Sequence, residues 1–290
     1  MININNIYNI IKIFCEVDDF IKTFDKYMES RSISSNTPKN RNKSSIMSRS
    51  EIITILIMFH SSNEKTLKRF YNKTIRNNYK KEFPNLVFYN RFVELQKNCI
   101  LPMLYFLGLK RTGKCTGISF IDSTRLKVCH NKRIHNHKVF KGLAKRVHIS
   151  VGFFYGFKLH LVINDKGEIL SFLITPGNVD DREPLKDKNF IKRIFGKIFG
   201  DKGYISTTLK ELLFVDGINL ITKLRKNMKG QILTNSEKVL LRKRSLIETV
   251  NDELKNIYQI EHSRYRSIAN FFANLVSPVF RNLTPILKFK

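Results

Sequence analysis

A carboxylate placed directly after an apolar segment narrows the folds that this sequence can adopt. Residues 117–124 read GISFIDST, so β-favouring and mostly apolar residues lead straight to Asp122. A segment of this kind is typical of a buried strand. A carboxylate that leaves a core is costly unless it is paired, hydrogen-bonded or bound to a metal ion. We therefore expect a strand that ends at Asp122; the alternative is that Asp122 only caps a turn.

The same pattern occurs a second time. Residues 197–204 read KIFGDKGY, another short apolar segment that leads to a carboxylate, Asp201, in a glycine-containing turn. A third carboxylate, Glu248, lies on a long helix predicted from about Ser236. Two strand-end carboxylates and one from a packed helix can converge and hold two divalent cations, a recurrent arrangement in phosphodiester chemistry. Oxygen ligands alone favour Mg²⁺ or Mn²⁺ over zinc.

The predicted helix that carries Glu248 has two faces at 3.6 residues per turn. The apolar stripe expected to be buried consists of Leu246, Val250, Leu254 and Ile257. The opposite face consists of Arg244, Glu248, Asn251, Asp252 and Lys255. A solvated face stabilised by pairs four residues apart would have the same pattern, so the stripe alone identifies no site.

The charge balance predicts a polyanionic partner. Lys and Arg number 52 against 24 Asp and Glu, which gives a formal net charge of +28. Nucleic acid is the polyanion that such an excess favours. A membrane surface is the alternative, but the basic residues are dispersed rather than gathered beside an anchor. An AT-rich genome would also raise the Lys content, but it would not keep the acidic residues so few.

The remaining composition favours a reducing cytoplasm without membrane insertion. No apolar run reaches the roughly 18 residues of a membrane span, and the N-terminus lacks the apolar core of a signal peptide. The four cysteines are widely separated, which argues against a disulfide framework.

The first part of the chain predicts helices and a basic linker. Apolar residues recur near helical spacing in residues 1–28, and residues 29–46 are basic with almost no apolar content. Ser48 and Glu51 have the spacing of a capping box before an apolar run. Three helices are then expected, over about residues 50–60, 64–72 and 90–107. With basic residues such as Arg91, they favour a small DNA-binding domain of helix-turn-helix type; the alternative is a helical subdomain with a solvated basic face.

Strands dominate the sequence after Gly117. Residues 153–164 and 168–175 predict two strands joined by the hairpin turn Asp165-Lys166-Gly167. Further elements are expected as a helix opened by residues 180–184, the Asp201 strand, a helix over about residues 206–215 and a strand over residues 217–222.

The segment 127–146 is strongly basic and contains Cys129 and three histidines. A zinc site is disfavoured because no second pair of ligands has the required spacing. We interpret the segment as a phosphate-contacting loop that uses Lys132, Arg133 and Lys138.

Five motifs together resemble one protein family. They are FIDST at 120–124, YGFKLH at 155–160, TPGN at 175–178, GDKGY at 200–204, and Arg244 followed by Glu248 and Lys255. In combination they resemble the DDE transposases of bacterial insertion sequences, most closely the group numbered nine-eighty-two. The resemblance extends from the Ser48 helix to about Val276.

The resemblance implies a fold and a reaction. The fold would be α/β: an RNase H-like catalytic domain, with a mixed sheet flanked by helices, preceded by a small all-α domain like a helix-turn-helix. Asp122, Asp201 and Glu248 would be the catalytic and metal-binding triad. They would hold two Mg²⁺ ions, with Mn²⁺ as a substitute, Asp122 contacting both ions. Arg244 and Lys255 would position DNA phosphates.

The implied protein binds double-stranded DNA, cuts at the ends of its element and joins the freed 3′-hydroxyl to target DNA. Its partners would be the terminal inverted repeats, the target DNA and further copies of itself in a synaptic complex, in the nucleoid of a bacterial cytoplasm. The expected domains are 1–46, a helix and basic linker; 47–112, the DNA-binding domain; 113–276, the catalytic domain; and 277–290, a divergent tail.

Two other functions remain open from the sequence. Ser277-Pro278 and Pro285 are expected to interrupt the C-terminal helix, because proline costs about 3 kcal/mol inside a helix. This interruption favours a decayed copy that only binds DNA. The other alternative is a general RNase H-fold nuclease, which would cut DNA without the terminal repeats equally well.

Overall fold

The computed structural model describes residues 4–31, 45–62, 64–110, 113–149, 152–223, 233–261 and 267–282. The helices are α1 (Ile4–Arg31), α2 (Arg49–Ser61), α3 (Leu67–Arg69), α4 (Arg76–Asn78), α5 (Tyr89–Leu95), α6 (Ile100–Lys110), α7 (Lys188–Ile191), α8 (Thr207–Val215), α9 (Asn235–Lys243), α10 (Ser245–Asp252) and α11 (Ile268–Asn282). The strands are β1 (Ile118–Lys127), β2 (Lys145–Ile149), β3 (Gly152–Asn164), β4 (Ile169–Pro176), β5 (Gly196–Gly200) and β6 (Ile218–Thr222). The chain forms two units, residues 1–111 with 265–290, and residues 112–264.

The helical unit is organised around α2. The predicted capping box is confirmed: the Ser48 hydroxyl accepts a hydrogen bond from Glu51 N, and the Glu51 carboxylate accepts one from Ser48 N. These bonds satisfy amide groups that the first helical turn would leave free. The apolar run that follows is buried on all sides, and α2 packs against α1 and α11.

The two later helices of the expected trio differ in detail from the prediction. The expected helix over 64–72 begins at Leu67 and extends to Asn78, with a π-helical segment at Phe70–Ile75 between α3 and α4. The expected helix over 90–107 is divided by a 3₁₀ segment, Gln96–Cys99, into α5 and α6. Pro102 is tolerated because it lies in the first turn of α6, where backbone N–H groups lack helical partners.

The predicted helix interruption at Ser277-Pro278 is wrong. Helix α11 passes through Pro278 and ends at Asn282, while Pro285 lies outside the described residues. The apolar face of α11 packs against α2 and α6, and buries Phe271 and Leu275. This burial offsets the hydrogen bond that proline cannot donate.

The second unit is a six-stranded mixed sheet flanked by helices. The strand order is β2-β3-β1-β5-β6, with β4 also paired to β3. Strands β1, β3 and β4 are antiparallel neighbours, whereas β5 runs parallel to β1 and β6 parallel to β5. The predicted hairpin between β3 and β4 is confirmed, and Gly167 supplies the positive φ of 84° at its turn.

Two strand predictions need correction. Strand β1 does not end at Asp122 but continues to Lys127, because residues 123–127 pair with β3 from His160 to Gly156. Strand β2 was not predicted: the end of the basic segment 127–146 pairs with the start of β3 instead of forming a loop. Its basic sequence lacks the apolar alternation by which a strand is recognised.

One face of the sheet packs against the segment between β4 and β6. Its core includes Ile121 and Val162 from the sheet, Leu185, and Leu209 from α8. The expected helix opened by residues 180–184 is a 3₁₀ turn, Glu183–Lys186, followed by α7. The expected helix over 206–215 is confirmed as α8, with Ser206 as its N-cap. No helix in the described ranges has the length and apolar character needed to cross a membrane.

Candidate active site

The two strand carboxylates lie side by side at one edge of the sheet. The parallel pairing of β1 with β5 aligns Phe120 with Phe199. Asp122 and Asp201 each follow two residues later, and β5 ends at Gly200 while β1 continues. Because aligned positions on neighbouring parallel strands are adjacent, this register places Asp122 and Asp201 at the same end of the strand pair.

Helix α10 brings three polar side chains to the same edge. Arg244 precedes the helix; its Nη2 donates to Glu248 Oε1 over 2.8 Å, and its Nη1 lies 3.6 Å from Asp122 Oδ1. Asn251 Nδ2 donates to Asp122 Oδ2 over 3.0 Å. The guanidinium of Arg244 therefore bridges a carboxylate of the sheet and a carboxylate of the helix.

The electrostatic environment of Asp122 is unusual for a strand carboxylate. Burial raises the pKa of Asp122 to about 6; Arg244 and the Ser123 backbone N–H act in the opposite direction. The negative charges of Asp201 and Glu248 contribute to the same rise of the pKa. The charges of the three carboxylates therefore act on one another. A strongly perturbed acid beside other acids is typical of functional sites.

The predicted faces of the Glu248 helix are partly wrong. The expected single helix is broken at Arg244 into α9 and α10, and a π-helical segment follows at Glu253–Ile257. These irregularities shift the helical phase. Ile257 is consequently exposed and Ile247 is buried in its place. Asn251, expected on the solvent side with Glu248, is also buried.

The residues predicted to contact DNA occupy different environments. Lys132 and Arg133 lie on an exposed 3₁₀ turn, and Lys138 is exposed nearby. Lys255 is half-buried; burial lowers its pKa, and its Nζ lies 3.8 Å from the Glu261 carboxylate. Arg91, in the helical unit, is exposed on α5 and pairs with Glu94 over 2.8 Å. Arg244, the remaining member, is only 20% exposed at its side chain and is held by the carboxylates.

Sequence reasoning assigned no role to Lys158 and His160, whose side chains bind Asp181 and Thr175. Lys158 Nζ donates to Asp181 Oδ1 over 2.9 Å and to the Val179 carbonyl over 2.8 Å. His160 is fully buried and shares a hydrogen bond of 2.8 Å with Thr175 Oγ1, and burial lowers its pKa to about 4. The motifs YGFKLH and TPGN contain or flank these residues. The sequence therefore marked the residues but did not indicate what they do chemically.

The donor chemistry of the site suits a divalent metal ion. Asp122, Asp201 and Glu248 offer only carboxylate oxygens, the ligands that Mg²⁺ and Mn²⁺ prefer. Their mutual repulsion favours a cation between them, and the Arg244 guanidinium supplies one between Asp122 and Glu248. Within the part of the chain that the structure describes, no three His, Cys, Asp or Glu side chains are already grouped closely enough to hold one ion. The residues therefore fit the metal in ligand type, with Arg244 in the place of the cation.

Comparison with known proteins identifies the class. The family described as "Transposase DDE domain" matches residues 112–268, more than half of the chain. The chain therefore belongs to the DDE transposase domain family. A search of curated proteins gave no match. Among solved structures, the chain is similar to a piggyBac transposase in a synaptic complex with hairpin DNA, with a TM-score of 0.43 and 10% identity over 93% of this chain and 72% of that one.

Proposed function

We propose that this protein is an active transposase that binds the ends of its own element, hydrolyses a DNA strand there and joins the freed 3′-hydroxyl to target DNA. Membership of the DDE transposase domain family supports the class of reaction. The observation that carries the proposal is the meeting of Asp122 and Asp201 at one sheet edge, with Glu248 linked to Asp122 through Arg244.

Asp122, Asp201 and Glu248 are the catalytic carboxylates of the proposal, and they would hold two Mg²⁺ ions or, as a substitute, Mn²⁺. Such ions, when bound, neutralise phosphate charge and activate the attacking oxygen. The protein's own part is to fix the carboxylates. Asn251 holds one oxygen of Asp122, and the sheet holds the backbone on both sides of it.

Arg244 has two roles in the proposal. Without DNA and metal it neutralises Asp122 and Glu248, which burial and mutual repulsion would otherwise destabilise. If the carboxylates held a divalent ion instead, the Arg244 guanidinium would be free to bind a DNA phosphate, for which its planar donors are well suited. Lys255 would bind a further phosphate near the same site.

The DNA path of the proposal follows the basic surface. Exposed basic residues on one turn-rich segment of the catalytic domain would bind DNA phosphates; they are Lys132, Arg133 and Lys138. The helices within residues 47–112 would form a helix-turn-helix-like domain that reads the terminal repeats, with Arg91 among its base contacts. Residues 1–46 would be a helix and linker, 113–276 the stretch that contains the RNase H-like catalytic domain, and 277–290 the tail; of these, residues 265–290 group with the helical unit and 112–264 form the sheet unit.

The biological setting of the proposal is a bacterial insertion sequence of the group numbered nine-eighty-two. Several copies of the chain would pair two element ends in a synaptic complex in the nucleoid. The net charge of +28 supports binding to DNA in such a complex, since duplex DNA is a polyanion.

The test compares strand nicking by the wild type with nicking by Asp122→Asn, which keeps the side-chain shape but removes the charge. DNA with and without the element ends is supplied with Mg²⁺. Glu211→Gln is the matched control, because Glu211 is an exposed carboxylate on α8 away from the site. We expect Asp122→Asn to lose nicking at least about 100-fold and the control to keep it. Equal nicking by all three proteins would refute the catalytic assignment.

The same assay separates the two alternatives. A general nuclease would cut DNA without element ends as fast as DNA that carries them. A protein that only binds DNA would protect the ends and never nick them. The uninterrupted α11 removes the helix break on which the second alternative was based.

A further inference from the structure

The buried hydroxyl of Tyr204 has no hydrogen-bond partner among the described residues. Tyr204 is 1% exposed, and its hydroxyl oxygen contacts neither a donor nor an acceptor. An unsatisfied buried hydroxyl is costly, so native structures contain few of them. Where such a hydroxyl occurs near a functional site, its hydrogen-bond partner is expected in a ligand-bound or rearranged state.

The local fold places the Tyr204 ring at the end of β5, next to the turn that carries Asp201. Asp201 caps the 3₁₀ turn Lys202–Tyr204 by accepting a hydrogen bond from Gly203 N over 2.8 Å. The ring then lies against the end of β5, where a Cβ on Gly200 would be only 3.0 Å from it. Glycine at position 200 therefore makes room for the ring at this point. The same ring belongs to the core that contains Ile121, the residue before Asp122.

A second connection brings Asp181 to the same place. Arg182 Nη1 donates to the Ile205 carbonyl over 3.4 Å, which ties the turn after β4 to the residue after Tyr204. Lys158 holds the Asp181 carboxylate. The negative charges of Asp181, Asp122 and Asp201 all act on Tyr204 and, after burial, account for a pKa well above that of an ordinary tyrosine. The hydroxyl therefore stays protonated, and it can donate a hydrogen bond to a carboxylate.

We propose that Tyr204 is a positioning residue of the candidate active site, and that its hydroxyl donates a hydrogen bond to a site carboxylate once the carboxylates draw together around a divalent cation. This inference rests on the proposed function, since it requires that Asp122, Asp201 and Glu248 bind the cation. In this proposal Tyr204 orients the carboxylates that bind the cation, and it contacts neither the metal nor the DNA. Partners of metal ligands orient them, and their loss commonly costs 10- to 100-fold in metal affinity.

The test is the Tyr204→Phe variant of the full chain, with Mn²⁺ as the probe. The variant keeps the ring in the core and removes only the hydroxyl. We expect Mn²⁺ affinity, measured by calorimetry at mildly alkaline pH, to fall about 10-fold. In metal-free buffer with a chelator, we expect the melting temperature to stay equal to or above that of the wild type, because no hydrogen bond is lost.

Tyr155→Phe is the matched control. Tyr155 is also buried, but its hydroxyl donates to the Phe140 carbonyl over 3.1 Å. Its loss should lower the melting temperature and leave Mn²⁺ affinity unchanged. This opposite pattern distinguishes a positioning hydroxyl from one that only supports the fold.

Two results would overturn the inference: unchanged Mn²⁺ affinity in Tyr204→Phe, or a lower melting temperature of that variant without metal. Failure of the proposed function has a different signature. In that case the wild type itself would bind no Mn²⁺ at the site, and Asp122→Asn would not alter the binding isotherm.

Discussion

Asn251 joins α10 to β1 by donating a hydrogen bond of 3.0 Å to Asp122 Oδ2. Among the described residues, the other end of the amide, Oδ1, is buried without a hydrogen-bond partner. This amide, the Ser123 N–H and the more distant Arg244 guanidinium offset the burial of the Asp122 charge. A further cation near Asp122 would therefore stabilise its charge.

We predict that Asp122 makes the metal-free protein less stable as pH rises from about 4.5 to about 7.5. Its pKa in the folded protein, about 6, lies above the ordinary 3.8, so the folded state holds the proton more tightly. The stabilising contribution is therefore complete below the ordinary value and is lost as pH rises through about 6. The wild type should lose about 2 kcal/mol more unfolding free energy than Asp122→Asn over this range.

Urea unfolding of both proteins, with a chelator present, measures this difference. Titrating groups that do not act on Asp122, such as the buried His160, cancel because they are common to both proteins. Equal losses in the two proteins would show that the charge of Asp122 is as well solvated as in the unfolded chain.

The sequence was most informative where local chemistry alone decides the structure. The capping box at Ser48, the hairpin turn ending at Gly167 and the Asp201 turn all involve residues close together in the chain, and all three are confirmed. The two apolar segments that lead to Asp122 and Asp201 were expected as strands, and they form the neighbouring strands β1 and β5.

The errors arise where distant partners decide. Strand β1 continues past Asp122 because β3 is long enough to pair with it, and nothing in residues 123–127 reveals that partner. Helix α11 tolerates Pro278 because its apolar face is buried against other helices. Asn251 is buried because the chain breaks at Arg244 and α10 turns its amide towards Asp122. Propensity and periodicity do not contain these tertiary contacts.

We predict that Arg244→Gln tightens Mn²⁺ binding in the absence of DNA but weakens strand nicking. The guanidinium competes with a metal ion for Asp122 and Glu248. Its removal should raise Mn²⁺ affinity about 5-fold, which corresponds to about 1 kcal/mol for a partly exposed ion pair. Calorimetry at pH well above 6 avoids competition from protons. Weaker Mn²⁺ binding in the variant would mean that Arg244 organises the carboxylates and does not compete with the cation.

We predict that Gly156→Ala severely destabilises the unit formed by residues 112–264. A Cβ at this position would lie 2.0 Å from the Leu126 carbonyl oxygen, so β1 and β3 would have to separate. Such backbone overpacking should cost at least about 3 kcal/mol of unfolding free energy. Gly217→Ala is the control: φ there is +75° with open space around the new Cβ, so only backbone strain of about 1–2 kcal/mol is expected. Denaturant unfolding ranks the two, and an equal cost would place the strand pairing in doubt.

We predict that Arg91→Ala reduces the preference for element ends over other DNA. Arg91 is exposed on α5, and its only contact given by the described structure is the ion pair with Glu94. The loss of one base contact should cost about 1–3 kcal/mol of discrimination. Binding to end and non-end duplexes, measured by competition, gives the ratio of the two affinities. Uniform weakening on both duplexes would instead indicate a phosphate contact.

The basic turn that carries Lys132 and Arg133 should contribute to the salt dependence of DNA binding. Each neutralised phosphate adds about −0.9 to the slope of log K against log salt, so replacing both residues by Ala should flatten the slope by about two. Affinity should fall alike for all sequences. Lys166 and Lys192 form the control pair: both are exposed, but they lie beside the opposite ends of the strands, at the β3–β4 turn and just before β5. Replacing this pair should leave the slope unchanged, although the net charge falls equally. Equal flattening by both double variants would show that DNA senses only the overall charge, and an unaltered slope in both would remove Lys132 and Arg133 from the DNA path.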